Sequence, residues 1–391
     1  MQTTVPAGFE DTVASMAASH AAILAALRDS GIALEPPPRL GPGRARGAAA
    51  ARAHPMQGVL KYHGMSDWRW RIAFLPSISV TSDAGYTTTY VEFDPTLSRD
   101  SLMIGGREAS GRELDRAVQS LDVVRQLAGV SSRARVVSRN IVRASRPGKG
   151  LGTSASASAA LATAAIAALW GAEAVTQRRF VSTIARLLAG SGCRSAAGGL
   201  ALWLSYPGIP QEESFAVRLD TRGQLDGLRL ITVPIDSRIG LKTEQAHADA
   251  PHSSFFRSWM LSRGAEVLEC IAAAHAGDWR AVGAWAELDS IRLHGVTMSG
   301  SRENKLIGWE PENITLFRLC NDLRATGVPV YCSTDTGPTA VFLTHRDHEE
   351  AVVAGIEALG LGLEIVRGRV AGGSELVDLD TAWAELSQDE R

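Results

Sequence analysis

Lysine is almost absent from this chain. Lys61, Lys149, Lys242 and Lys305 stand alone among basic residues that are otherwise arginine. Such a bias is compositional, and it makes each retained lysine informative, because a point-charge ammonium and a planar guanidinium are not interchangeable. Net charge is equally sparse. Forty basic and 42 acidic residues leave −2 over 391 positions, which argues against a polyelectrolyte partner such as nucleic acid. The four cysteines, Cys193, Cys270, Cys320 and Cys332, follow no disulfide or metal-ligand spacing and fit reduced thiols in a cytoplasm. Ala159–Trp170 is the longest apolar stretch, short and alanine-rich, so no membrane span is expected. The first residues carry no basic region followed by an apolar one, so no secretory signal is expected either. The Walker A pattern and GxGxxG are missing as well.

The length favours two domains. Phe9 to Ser30 has helical periodicity, Pro36-Pro37-Pro38 ends it, and residues 39–54 are Gly/Ala/Arg-rich. They read as a link, so 1–55 is expected to be a helical extension and linker. Residues 56–238 and 239–391 are then the two domains. Strands are expected at 69–81, 86–93, 136–142, 202–205, 228–233, 328–333, 340–344 and 363–369. Helices are expected at 111–129, 154–170, 176–189, 252–289, 311–326 and 347–359. This mixed order predicts an α+β fold rather than a doubly wound parallel sheet.

The strand 136–142 runs into Pro147-Gly148-Lys149-Gly150-Leu151-Gly152-Thr153-Ser154, and a small-residue helix follows. Glycines let backbone N–H groups approach an anion, and a helix start supplies unpaired donors and the positive end of a dipole. Lys149, Gly150, Gly152, Thr153 and Ser154 are therefore candidate nucleotide-phosphate ligands. Ser154 is placed to cap the helix or to meet a phosphate-bound metal. His345 and His348 lack the HExxH pattern and read as a solvated helix start.

Three further segments accompany this loop: Lys61-Tyr62-His63-Gly64, Gly190-Ser191-Gly192-Cys193-Arg194-Ser195 and Thr334-Asp335-Thr336-Gly337-Pro338. In this order they resemble the KYWGK, GSGSACRS and FDAGPN motifs of the mevalonate diphosphate decarboxylases, which belong to the GHMP kinase superfamily. Asp289-Ser290-Ile291-Arg292-Leu293-His294 is a weaker match to that family's DSNQFHA. The resemblance spans about 56–345. It implies a two-domain α+β fold with the active site in the cleft between domains. It also implies ATP and Mg2+ as cofactors, a small phosphorylated 3-hydroxy-3-methyl acid as substrate, and a homodimer.

The resemblance makes Asp335, Lys61 and Arg194 catalytic: Asp335 at the substrate 3-hydroxyl, Lys61 beside it, Arg194 on the carboxylate. Tyr62, Ser191 and His247 would contact substrate. Ala189 replaces a family serine, Met65 a family lysine and His63 its tryptophan. His247 falls near a family arginine, and Glu244 adds a negative charge close by. Fewer cations suit a monophosphate better than a diphosphate. The expected reaction is decarboxylation of mevalonate 5-phosphate to isopentenyl phosphate. The 5-diphosphate reaction and a non-catalytic binding protein are the alternatives.

Overall fold

A computed structural model describes residues 5–144, 151–237, 243–301, 303 and 305–387. β1 (Gly47–Ala53), β6 (Gly85–Asp94), β7 (Ser101–Ile104), β8 (Arg107–Glu108), β9 (Arg133–Val142) and β16 (Glu375–Val377) form a sheet in the order β16-β1-β6-β9-β7-β8. The β-branched and aromatic residues of β6 suit a pleated, half-covered surface, and it pairs with β9 from Gly85↔Val142 to Asp94↔Arg133. α2 (Arg112–Ala128), α3 (Thr153–Trp170), α4 (Arg178–Leu188) and the short α5 (Gly192–Ala197) complete this half. Val91, Phe93, Val136, Ile166 and Phe180 share its core.

α3 is 18 residues long and apolar enough to cross a membrane by length and composition, longer than the run read from sequence. It is an interior helix, with 78% of that window buried. The small residues of α3 and β1 serve close approach. A Cβ on Gly47 would lie 2.0 Å from the Ala168 carbonyl oxygen. This corrects the reading of 39–54 as a link, because β1 lies inside the sheet and pairs with both β6 and β16.

β2 (Met56–Leu60), β5 (Ser77–Thr81), β10 (Leu200–Trp203) and β11 (Ala216–Arg218) form a second sheet, in the order β11-β10-β5-β2. β3 (Met65–Asp67) and β4 (Ile72–Ala73) form a small ribbon beside it. β12 (Leu228–Val233), β13 (Tyr331–Thr334), β14 (Ala340–His345) and β15 (Val366–Arg369) make a third sheet, ordered β13-β14-β12-β15. α6 (Thr243–Asp249), α7 (Phe256–Ala276), α8 (Trp279–Gly300), α9 (Pro311–Ala325), α10 (Glu349–Ala358) and α11 (Leu379–Leu386) follow β12 in the chain. The α+β architecture agrees with the sequence reading. A boundary at 238/239 does not follow the hydrogen bonds, since β12 pairs with β14 and β15 while β16 returns to β1.

The long helix expected over 252–289 is two helices. Gly277 takes the left-handed φ of +71° that ends α7, and the Asp278 side chain accepts from the Arg280 and Ala281 amides to start α8. α1 (Glu10–Asp29) lies on α7. Gly264 permits the approach, because a Cβ there would sit 2.5 Å from Ser19 Oγ. Ile23 and Leu27 are buried with Val267, Cys270 and Ile271. Beyond α1, the Glu35 carboxylate accepts from the Arg179 amide at 2.8 Å.

These contacts make α1 part of the core. Leu27→Ala should cost about 2–5 kcal/mol of stability, the range for emptying a buried leucine site. Urea unfolding at neutral pH measures it, and a loss below about 1 kcal/mol would show that α1 is dispensable.

Candidate active site

A cleft of about 590 Å³ is lined by Lys61, Tyr62, Arg71, Ser154, Arg194 and Asp335, among others. Lys61 follows β2, and Asp335 opens the turn from β13 to β14. The Lys61 ammonium donates to Asp335 Oδ1 at 2.7 Å, Ser333 Oγ at 2.8 Å and the Gly58 carbonyl at 2.7 Å. All of its donors are thereby used. Lys61 is 3% exposed. Burial pulls its pKa below the usual lysine value, and the Asp335 carboxylate opposes that pull. Asp335 Oδ1 also takes weaker bonds from the Gly58 amide and Gln57 Nε2, at 3.3 and 3.4 Å. Oδ2 takes no hydrogen bond from a described residue. Gly58 is required here, since a Cβ would lie 2.8 Å from Lys61 Cδ and 2.9 Å from Asp335 Oδ1.

α8 holds both partners from behind. Buried Asp289 accepts from the Lys61 amide at 2.6 Å, Trp259 Nε1 at 2.8 Å and Arg263 Nη2 at 2.8 Å. Ser290 Oγ accepts from the Thr334 amide at 2.9 Å. His294 Nε2 lies 2.9 Å from the Asp335 carbonyl oxygen. That contact requires a proton on Nε2. Burial lowers the His294 pKa to about 4, so the histidine packs and hydrogen-bonds. The Asp289–His294 segment, the weakest sequence match, thus positions the Lys61–Asp335 pair.

Arg194, on α5, is 2% exposed. It donates to Ser77 Oγ and, at 3.5 Å, to Met56 Sδ. Its guanidinium carbon lies 5.2 Å from the Tyr62 ring centroid and 5.9 Å from that of Trp203. No described carboxylate pairs with it, and its Nε is buried without a partner. Tyr62, Ser191 and Ala189 all line the cleft.

Gly152, Thr153 and Ser154 bring the start of α3 to the same cleft. Lys149 and Gly150 lie outside the described residues. Gly152 has φ +70°, and a Cβ would meet the Met56 carbonyl oxygen at 2.6 Å. Its immediate role is therefore packing against β2, which the phosphate-loop reading did not foresee. Ser154 does not cap the helix, because Gly152 occupies the N-cap position. The Ser154 side chain is exposed to the cleft, with no described residue bonded to its hydroxyl. No group of three or more His, Cys, Asp or Glu side chains among the described residues could hold a metal. The cysteines are free and buried.

Met65 and His247 border the cleft, but neither is a cation. Met65 packs in an apolar cluster with Ala73, Cys193 and Trp203. His247 stacks on Tyr62, with centroids 5.3 Å apart, and its Nδ1 accepts from the Gly64 amide at 3.1 Å. Burial, with Arg71 adding repulsion, lowers its pKa to about 3. Glu244 is paired with Arg112, so its charge is compensated, contrary to its reading as an added negative charge. Sequence reasoning missed Arg71 and Arg116, which also line this region. Neither belongs to a motif, and arginine is too common here to stand out.

The same geometry has relatives. Residues 53–216 match the family model for the diphosphomevalonate decarboxylase-like N-terminal domain. A phosphomevalonate decarboxylase from Haloferax volcanii is 36% identical over 84% of this chain and 98% of its own. The chain belongs to the mevalonate diphosphate decarboxylase family. A mevalonate 3,5-bisphosphate decarboxylase from Thermoplasma volcanium is 28% identical, over 75% of each chain. Among solved structures, mevalonate diphosphate decarboxylase from Staphylococcus aureus superposes with a TM-score of 0.76 at 28% identity, covering 85% of this chain and 98% of that one. Family membership agrees with the two-domain α+β fold and with the four motifs meeting at one cleft.

The buried histidines give the fold a pH signature. His247 and His294 have folded pKa values of about 3 and about 4, against 6.5 when unfolded. Below pH 6.5 the unfolded chain binds the additional protons, so stability is full above that pH and is lost as pH falls toward 4. Urea titrations from pH 7 to 4.5 should show this decline, shallower in His247→Asn. A flat wild-type profile would mean that these rings protonate within the fold.

Proposed function

We propose that this chain catalyses ATP-dependent decarboxylation of mevalonate 5-phosphate, yielding isopentenyl phosphate, ADP, phosphate and carbon dioxide. The observation that carries this reading is the buried Lys61–Asp335 pair, with Asp335 Oδ2 free of hydrogen bonds from described residues. The chemistry needs a carboxylate to orient and deprotonate the 3-hydroxyl as it attacks the γ-phosphorus of ATP. Asp335 fills that role, and the Lys61 ammonium supplies positive charge beside the transferring group. Arg194, without an acidic partner among the described residues, grips the C1 carboxylate. The C1–C2 electron pair then forms the C2–C3 double bond, carbon dioxide leaves, and the C3–O bond breaks to release phosphate.

The start of α3, at Gly152, Thr153 and Ser154, supports binding of the ATP phosphates. Mg2+ fits as an ion carried in by those phosphates with Ser154 as an added ligand, because Mg2+ keeps several waters and needs few protein groups. Bound there, it would neutralise charge on the β- and γ-oxygens. A related structure holds MVAPP, AMPPCP and magnesium together. The free, buried cysteines support a reducing, cytoplasmic setting, and a homodimer follows from the family resemblance alone.

The monophosphate is favoured over the diphosphate by the Haloferax relative and by the apolar surroundings of Met65.

Steady-state kinetics on both mevalonate phosphates, with ADP and product quantified, tests this reading. The monophosphate should be preferred by about tenfold or more in kcat/KM, the equivalent of one charge-assisted hydrogen bond. ADP should form one-to-one with carbon dioxide, and nothing should form without ATP. Asp335→Asn should lose about 10²–10⁴-fold in rate while retaining ATP affinity. Better turnover of the diphosphate would overturn the substrate assignment. ATP-independent decarboxylation of mevalonate 3,5-bisphosphate would overturn the mechanism.

A further inference from the structure

We infer that Ser374, together with Arg178, is a positioning residue for Arg194: the two clamp the end of the short helix that carries the substrate-facing guanidinium. This inference rests on the decarboxylase reading above and deepens it. Neither residue belongs to a sequence motif, and neither is among the residues that line the cleft.

α5 has six residues, Gly192–Ala197, too few for a helix to be stable on its own. Its last carbonyls have no partner within the helix. The Gly198 amide donates to the Arg194 carbonyl at 2.9 Å, and Ser182 Oγ donates to that of Cys193 at 3.1 Å. The Ala196 carbonyl is met from much further along the chain. It accepts from the Ser374 amide at 3.2 Å and from Arg178 Nη2. Arg178 is the first residue of α4, and a cation there complements the negative end of the α5 dipole.

The Ser374 side chain locks the arrangement. It is buried. Its Oγ accepts from Arg178 Nη2 at 3.3 Å and lies within hydrogen-bond distance of Thr163 Oγ1 on α3, at 2.6 Å. One hydroxyl thus joins α3, α4 and the segment that touches α5. Glycines permit the approach. A Cβ on Gly198 would lie 2.0 Å from the Gly373 nitrogen, and one on Gly373 would lie 2.5 Å from the Ala196 carbonyl oxygen. On its other side the segment is held at Ala371, whose carbonyl accepts from Thr81 Oγ1 at 2.6 Å and from the Gly199 amide at 2.9 Å. It then enters β16, which pairs with β1.

A segment from the far end of the chain therefore fixes α5 against α3 and α4. Arg194 needs that support. Its guanidinium rests only on Ser77 Oγ, Met56 Sδ and two aromatic rings among the described residues. A planar fork gives a bidentate grip on a carboxylate in a narrow range of orientations. A shift of about 1 Å in a binding group can cost about a hundredfold in rate.

The test uses the full chain with Ser374→Ala, Arg178→Lys and Arg194→Lys, alone and combined. Ser374→Ala removes the hydroxyl and leaves the amide, so the melting temperature should fall by no more than about 5 °C. Its kcat/KM for mevalonate 5-phosphate should fall about tenfold, the size of one hydrogen bond to a charged group. KM for ATP should stay within about twofold, well inside that tenfold. Arg178→Lys keeps the charge at the end of α5 but loses the fork that spans both oxygens, and should show the same selective loss. In the Arg194→Lys background, Ser374→Ala should change kcat/KM by less than about twofold, because residues that act through one group are not additive. A merely structural serine would cost the same in both backgrounds. If wild type turns over mevalonate 5-phosphate and Ser374→Ala either leaves kcat/KM unchanged or costs as much in the Arg194→Lys background, this inference falls while the function stands. If wild type does not turn over that substrate, both fall.

Discussion

One buried ammonium organises this molecule. Desolvating a lysine head group costs several kcal/mol unless its protons and charge are answered, and Lys61 is answered on every side. The Gly58 carbonyl comes from β2, which Lys61 follows, while Ser333 lies on β13 and Asp335 in the turn after it, 272 and 274 residues away. The pair therefore ties β2 to β13. The site exists only when the first and last parts of the chain are folded against each other. Asp289 adds a second constraint by accepting the Lys61 amide, so the lysine is held by backbone as well as side chain. That rigidity has a chemical use, because groups held in place need no reorganisation as charge develops.

Around this pair the cleft sorts positive charge by position. The start of α3, at Gly152, Thr153 and Ser154, lies at one wall. Arg194 is clamped against Tyr62 and Trp203 at another. Arg71 and Arg116 form a third positive region. The histidines between them are neutral, since burial depresses their pKa values. The charge offered to a ligand is thus carried by arginines, which do not titrate near neutral pH, and by one lysine held by its partner.

Much of this was legible in the chain itself. The elements containing Tyr86–Phe93, Leu228–Val233 and Ala340–Thr344 were readable because alternation and β-branching are local properties. The four motifs were readable because each needs particular residues at fixed short spacing. Gly47–Ala53 was not readable. Its alanines resemble a linker, and their smallness makes sense only with α3 packed against them. Gly277 was passed over because a left-handed cap shows only where the following Asp278 starts a new helix. Arg71 was invisible for a different reason. Its significance is that no described residue pairs with it, and pairing is a property of the assembled cleft.

The sequence by itself determined the family, the α+β class and the chemical types present: a lysine, an aspartate, an arginine and a glycine turn before a helix. These depend on residue identity and short spacing, which folding does not alter. Tertiary structure decided which of them meet and in what electrostatic state. Folding made His247 neutral, gave Glu244 to Arg112, turned Gly152 toward β2 and left Arg71 on the cleft with no ion pair among the described residues. Desolvation and pairing arise only when distant segments exclude water from one another, so no local reading of the chain contains them.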